Sequence, residues 1–71
     1  MTPTMMIRIL ERAGTRFFWH PSGGIGWEDP KFVSKGDRQL YDFAHAEAAT
    51  HWDEFYAAVE MHLWRREGVI A

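Results

Sequence analysis

The spacing of hydrophobic side chains changes near residue 37, and this change favours a mixed α+β fold. Before that point, hydrophobic and polar residues alternate over short stretches bounded by Gly and Pro, which is typical of strands. After it, hydrophobic residues recur every three or four positions, as they do on one face of a helix. The sequence therefore predicts an N-terminal antiparallel sheet packed against one or two C-terminal helices.

Three strands are predicted between residues 5 and 28. The first covers residues 5–12, where the alternation has one exception at Leu10, and Ala13-Gly14 follows as a turn. The second covers residues 15–20 and ends before Pro21, and the third covers residues 25–28. The core face of this sheet is predicted to consist of Met5, Ile7, Ile9, Phe17, Trp19, Ile25 and Trp27.

Helix is predicted from about residue 38 to residue 67, with a break or bend near Thr50, and a strand over residues 40–43 is the competing interpretation of the first part. Asp37 and Thr50 are the expected N-caps, because short polar side chains accept hydrogen bonds from the free N–H groups of a first turn. Gly68 is the expected stop. The buried stripe of the second helical run is predicted to be Trp52, Phe55, Tyr56, Val59 and Leu63.

Chain length and composition limit the organisation and the compartment. The 71 residues predict a single domain, and four Trp, five Phe and two Tyr supply a core for it. There is no cysteine, so cysteine-based zinc sites are excluded and a reducing compartment is favoured. No signal peptide or membrane-spanning stretch is recognisable, and the expected location is the cytoplasm.

An enzymatic function is not expected. The sequence contains no nucleophile elbow, no paired-histidine zinc motif and no phosphate-binding loop ahead of a helix. Glu47, His51 and Glu54 would share one flank of an unbroken helix, but no fourth metal ligand accompanies them. Local Glu–His contacts on a solvated face are the favoured interpretation, and neither a metal nor a cofactor is predicted.

Charge is distributed unevenly along the chain. Residues 1–38 hold six basic groups and four acidic ones, a balance of +2, whereas residues 39–71 hold two basic and six acidic groups, a balance of −4. Residues 39–64 contain five carboxylates and neither Lys nor Arg. An asymmetry of this kind indicates an interaction surface.

The outward face of the second helical run is the strongest candidate for that surface. Helical spacing places acidic residues there beside a Met and a Trp, and such apolar anchors within a charged surround are typical of protein interfaces. If the helix continued back through residue 42, three of the carboxylates would fall near one line. The predicted partner-binding residues are Asp42, Asp53, Glu54, Glu60, Met61 and Trp64.

Two alternatives use other surfaces or partners. The second face of the predicted sheet would combine cations with an aromatic ring, which suits single-stranded nucleic acid. Its residues are Arg8, Arg12, Arg16, Phe18 and His20. The net charge of −2 opposes direct nucleic-acid binding, however. The other alternative is a structural or regulatory homodimer with Trp64 at its contact.

In size, lack of cysteine, order of strands and helix, and acidic face, the chain resembles the small anti-CRISPR proteins of phages and mobile elements. The resemblance covers the whole chain in outline and rests on no motif, so it assigns no residue role. It implies a stoichiometric inhibitor in the cytoplasm of the host cell. Such an inhibitor docks on a CRISPR effector complex and blocks DNA binding or nuclease recruitment.

Overall fold

Three helices pack against a two-stranded antiparallel sheet in the computed structural model, which describes residues 1–68. The elements in chain order are α1 (Pro3–Ala13), β1 (Arg16–Trp19), β2 (Ile25–Glu28), α2 (Arg38–Thr50) and α3 (Trp52–Arg66). The α+β class is confirmed. Within the described residues, no helix is both long and apolar enough to cross a membrane.

The strand predicted for residues 5–12 is wrong, because this segment is helix α1. Thr2 caps its first turn by accepting a hydrogen bond from the Met5 N–H, and Pro3 stands at the first helical position, where a missing N–H costs nothing. Gly14 closes the helix in the left-handed conformation, with φ of 115°. Residue Leu10, which interrupted the alternation, is fully buried on the helix.

The second and third predicted strands are confirmed as the β1–β2 hairpin. Phe17 pairs with Trp27, and Trp19 pairs with Ile25, so these four side chains share the face that packs on the helices. On the opposite face Phe18 pairs with Gly26. The predicted core residues Phe17 and Ile7 are buried, and Ile9, Trp19, Ile25 and Trp27 are partly buried against the core, whereas Met5 is exposed on α1.

The predicted break between two helices is confirmed, and it lies at His51. Asp37 stands at the N-cap position of α2 as predicted, but its side chain makes no capping hydrogen bond and accepts from the Ser34 hydroxyl instead. Helix α3 begins after His51 rather than after Thr50. The Thr50 hydroxyl instead points back along α2 and donates to the Ala46 carbonyl one turn earlier, and Thr50 is the last residue of α2 rather than the cap of α3. His51 has a non-helical backbone (φ −114°, ψ 48°), which separates the two axes.

The core lies where α1, α2, α3 and the inner face of the hairpin meet. Of the predicted stripe on α3, Phe55, Val59 and Leu63 are fully buried, whereas Tyr56 is partly buried and Trp52 is exposed. Phe17 packs edge-on against both Phe55 and Trp27. The complete buried set is Met6, Ile7, Leu10, Phe17, Val33, Tyr41, Ala44, Ala48, Phe55, Val59 and Leu63.

Gly26 provides a direct test of the hairpin, because the Phe18 ring occupies the space that a Cβ at position 26 would need. Gly26→Ala is expected to lower the free energy of unfolding by about 1–3 kcal/mol through this overlap. Gly36→Ala is the matched control, since no atom lies within 4 Å of its added Cβ. Chemical denaturation of both variants measures the difference, and equal stabilities would contradict this packing.

Candidate functional site

The outer face of α3 carries most of the predicted partner-binding residues. Because Phe55, Val59 and Leu63 point into the core, helical geometry turns the opposite side of α3 toward solvent. Asp53 and Glu54 are exposed in the first turn of the helix. We call Asp53, Glu54, Ala57, Glu60, Met61 and Trp64 the α3 outer face; Glu60 and Met61 are partly buried, and the others are exposed.

This face is acidic along most of its length. The stretch from residue 39 to residue 64 contains no Lys or Arg, and the first cations of α3 are Arg65 and Arg66 in its last turn. The Arg66 guanidinium donates to the Phe17 carbonyl at 3.0 Å and lies 3.9 Å from the Glu11 carboxylate. Arg66 therefore connects α3 to β1 and α1, and the Glu11 carboxylate partly neutralises its charge on the side of α3 away from the outer face.

Trp64 is half supported by the hairpin. Its ring packs against the ring of Trp19 with centroids 5.8 Å apart, and 37% of its surface remains exposed. The Trp19 indole N–H donates a hydrogen bond to the Glu67 carboxylate at the end of α3, and this bond holds the Trp19 ring in place. Because of the contact with Trp19, removal of the Trp64 side chain would reduce folding stability as well as any binding.

Asp42 does not join this face as a continuation of the same helix. It lies on α2, and the interruption at His51 removes the single helical line that was predicted to unite it with Asp53 and Glu60. Asp42 instead accepts from the Arg38 guanidinium one turn earlier, at 3.3 Å. The predicted row of three carboxylates is therefore wrong in geometry.

The predicted basic sheet face is divided between two elements. Arg8 and Arg12 belong to α1, since the first predicted strand is a helix, and only Arg16 and Phe18 lie on β1. His20 stands just beyond β1, in the turn of the hairpin. No continuous sheet surface therefore displays the three arginines together.

A cluster around the carboxylate of Asp29, which the sequence analysis did not identify, joins the end of β2 to α2. Asp29 accepts from the Trp27 indole N–H, and its second oxygen lies 3.3 Å from His45 Nε2. The Trp27 ring stacks on Trp52 at 6.0 Å and also contacts His45. Asp29 and His45 are 16 residues apart, and no local spacing rule in the sequence connects them.

Burial raises the pKa of Asp29, but hydrogen bonds from Trp27, Tyr41 and His45, together with the charge of His45, outweigh burial and lower the pKa overall. The same surroundings raise the pKa of Tyr41, first through burial and then through the hydrogen bond to Asp29. These donors hold Asp29 in its ionised form. The cluster is well suited to clamping the loop after β2 onto α2.

The remaining histidines contact nearby polar side chains. His20 Nδ1 lies 2.6 Å from the Ser22 hydroxyl and also accepts from the Ser22 N–H, so both contacts belong to the turn of the hairpin. His62 contacts Glu11 at 3.2 Å, which joins α3 to α1. His51 lies 3.8 Å from Glu47, the kind of local contact that its helical spacing indicated. Within residues 1–68, no group of three metal-ligating side chains is close enough to hold an ion.

No protein-family model matches the sequence, and no curated protein or solved structure shows significant similarity to it.

The Asp29 cluster predicts a specific acid sensitivity. Because the pKa of Asp29 is lower in the folded state than its ordinary value of 3.8, its contribution to stability is present above pH 4. That contribution is lost as the pH falls through the folded pKa. Asp29→Asn should therefore be less stable than the wild type near neutral pH, and the gap should narrow as the pH falls below 3.8 and through the lower folded pKa of Asp29. The free energies of unfolding of both proteins, measured from neutral to acidic pH, give this difference. A difference that does not change with pH would contradict the stabilising role of ionised Asp29.

Proposed function

We propose that this chain is a small non-enzymatic binding protein that docks the α3 outer face on a nucleic-acid-handling protein complex. The observation that carries the proposal is the combination on one helix face of exposed carboxylates with a half-exposed Trp64, in a stretch that contains no Lys or Arg. A face of this composition suits the basic groove in which another protein holds nucleic acid.

The two halves of the face have different roles in this proposal. Asp53, Glu54 and Glu60 supply negative charge that attracts a basic partner over several ångströms and accelerates the encounter. Met61 and Trp64 supply the short-range contact, since aromatic and Met side chains at the centre of an interface contribute most of its binding energy. The contact with Trp19 supports the Trp64 ring before binding, so less side-chain entropy is lost on association.

The form of this function that we favour is a stoichiometric, anti-CRISPR-like inhibitor. Exposed carboxylates on a rigid helix present negative charge, as a phosphate backbone does, and they can occupy a groove that otherwise receives DNA. An inhibitor of this kind needs no catalytic group. The partner would be a CRISPR effector complex in the host cytoplasm, and the blocked step would be target DNA binding or nuclease recruitment.

A purified panel of CRISPR effector complexes tests the proposal, with target DNA binding measured as the protein is titrated. A stoichiometric loss of DNA binding is expected for the susceptible complex. Asp53→Lys and Glu60→Lys together should slow association by about tenfold or more and weaken its salt dependence, because exposed charges act through steering. Trp64→Ala should mainly speed dissociation. If Trp64 is a central anchor, the substitution should weaken the binding free energy by on the order of 2–4 kcal/mol.

Glu28→Lys is the charge control, since Glu28 is an exposed carboxylate on β2 rather than on α3. It should leave the association rate close to that of the wild type. Thermal unfolding of every variant separates lost binding from lost folding, which matters most for Trp64→Ala. If the variant with both Asp53→Lys and Glu60→Lys inhibits as well as the wild type, the α3 outer face is not the docking surface. If the wild type inhibits none of the complexes in the panel, the anti-CRISPR form of the proposal is wrong.

A further inference from the structure

Two tryptophan rings pack together at the end of α3. The Trp64 ring lies against the Trp19 ring with centroids 5.8 Å apart and an angle of 32° between their planes. Trp19 thus supports one part of the Trp64 ring, while 37% of the Trp64 surface remains exposed. The Trp64 ring is therefore held in place and still open to a ligand.

Two carboxylates accompany the Trp64 ring on the same side of α3. Glu60 is four residues before Trp64 and Glu67 is three residues after it, and these spacings make side chains neighbours on a helix. Glu67 keeps helical backbone angles (φ −86°, ψ −3°), and its Oε2 accepts from the Trp19 indole N–H at 3.1 Å. We call Trp19, Glu60, Trp64 and Glu67 the Trp64 site.

The end of the helix adds negative potential to the Trp64 site. Trp64 lies in the last turn of α3, where the free carbonyl groups of a helix attract cations. At about 100° per residue, Arg65 and Arg66 lie roughly 100° and 160° around the helix from Trp64, and Arg66 is bound to β1 and α1. Among residues 1–68, the cation that lies over an aromatic ring is Arg38, over Tyr41. The site therefore attracts a cation that the described part of the chain does not supply.

A guanidinium group matches this site better than an ammonium group does. It is planar, so it can stack on an indole ring while its N–H groups point outward in the same plane. Those donors can reach a carboxylate on either side, since Glu60 and Glu67 lie about 6 Å and about 4.5 Å from Trp64 along the helix axis. An ammonium group is compact and strongly hydrated, and its three donors do not lie in one plane.

We infer that the Trp64 site binds an arginine side chain of the partner protein, an inference that rests on docking through the α3 outer face. The guanidinium stacks on the exposed part of Trp64 and donates to Glu60 and Glu67. Trp and Arg are both enriched among the residues that dominate interface binding energy, and such residues tend to pair across an interface. A phosphate group is disfavoured here, because the two carboxylates repel it.

The Trp64 site would give the docking surface a selectivity that its other carboxylates lack. Asp53 and Glu54 attract any basic surface, and they lie in the first turn of α3, where the helix dipole disfavours a cation. The first turn would then contribute to the encounter, and the last turn would recognise one residue type. The partner is expected to place an arginine, and not only positive charge, opposite Trp64.

Hexaarginine and hexalysine peptides carry the same side-chain charge, so they test this selectivity on the full chain at low ionic strength. NMR follows the titration through the indole N–H signal of Trp64, with the signal of Trp27 as the reference. Hexaarginine is expected to shift the Trp64 signal and to bind about threefold or more tightly than hexalysine. Stacking on the exposed ring adds to the charge attraction that both peptides share.

Four substitutions separate the ring from the charge. Trp64→Leu should bind the two peptides equally, whereas Trp64→Phe keeps a ring and should retain part of the arginine preference. Glu67→Gln removes the charge but keeps an acceptor for the Trp19 N–H, and it should weaken hexaarginine binding by about threefold. Glu28→Gln is the matched control, an exposed carboxylate on β2, and it should bind as the wild type does. Circular dichroism checks that each variant folds.

Equal affinities of the two peptides for the wild type would overturn the inference. An arginine preference that persists in folded Trp64→Leu would also overturn it, as would a Trp64 signal that shifts with protein concentration alone, because a second copy would then occupy the site. Effector inhibition is a separate readout. A wild type that inhibits a complex but shows no arginine preference refutes this inference and leaves the proposed docking in place, whereas arginine preference with no inhibited complex supports the site and contradicts the proposed inhibitor.

Discussion

The packing of Phe17 against Phe55 is the contact on which the rest of this structure depends. Both side chains are almost completely buried, and their rings meet edge to face with centroids 5.9 Å apart. A two-stranded hairpin has little stability in water by itself, so it needs a helix against one face. Phe17 provides that contact, and by fixing the inner side of α3 it also determines which side of α3 faces solvent.

The hairpin and the C-terminal helices could be predicted from the sequence, whereas α1 could not be predicted by alternation. Phe17 and Trp27 lie between turn residues at strand spacing, and Phe55, Val59 and Leu63 recur at helical spacing, so local pattern and tertiary structure agree there. In residues 5–12, the alternation of a few hydrophobic residues predicts a strand, whereas the residues at the two ends of the segment predict a helix. Thr2-Pro3 and Gly14 are the start and stop of a helix, and they identify α1 correctly.

The candidate site was predictable where it depends on one helix and not where it depends on tertiary contacts. Asp53, Glu60, Met61 and Trp64 share a face because of α3 alone. Asp42 was separated from them by the backbone at His51, and the support that Trp19 gives to Trp64 joins residues 45 positions apart. The Asp29–His45 clamp likewise requires the folded chain, because its members come from the loop after β2 and from α2.

The central claim of this account, that the α3 outer face is the surface which meets the partner, is tested most directly by oxidative footprinting. Met and Trp side chains react readily when exposed, and the chain has both on and off the proposed face. With an effector complex that the protein inhibits, Met61 and Trp64 should be protected from oxidation, while Met5, which is exposed on α1, should react as in the free protein. Protection of Met5 with Met61 and Trp64 unchanged would contradict the claim.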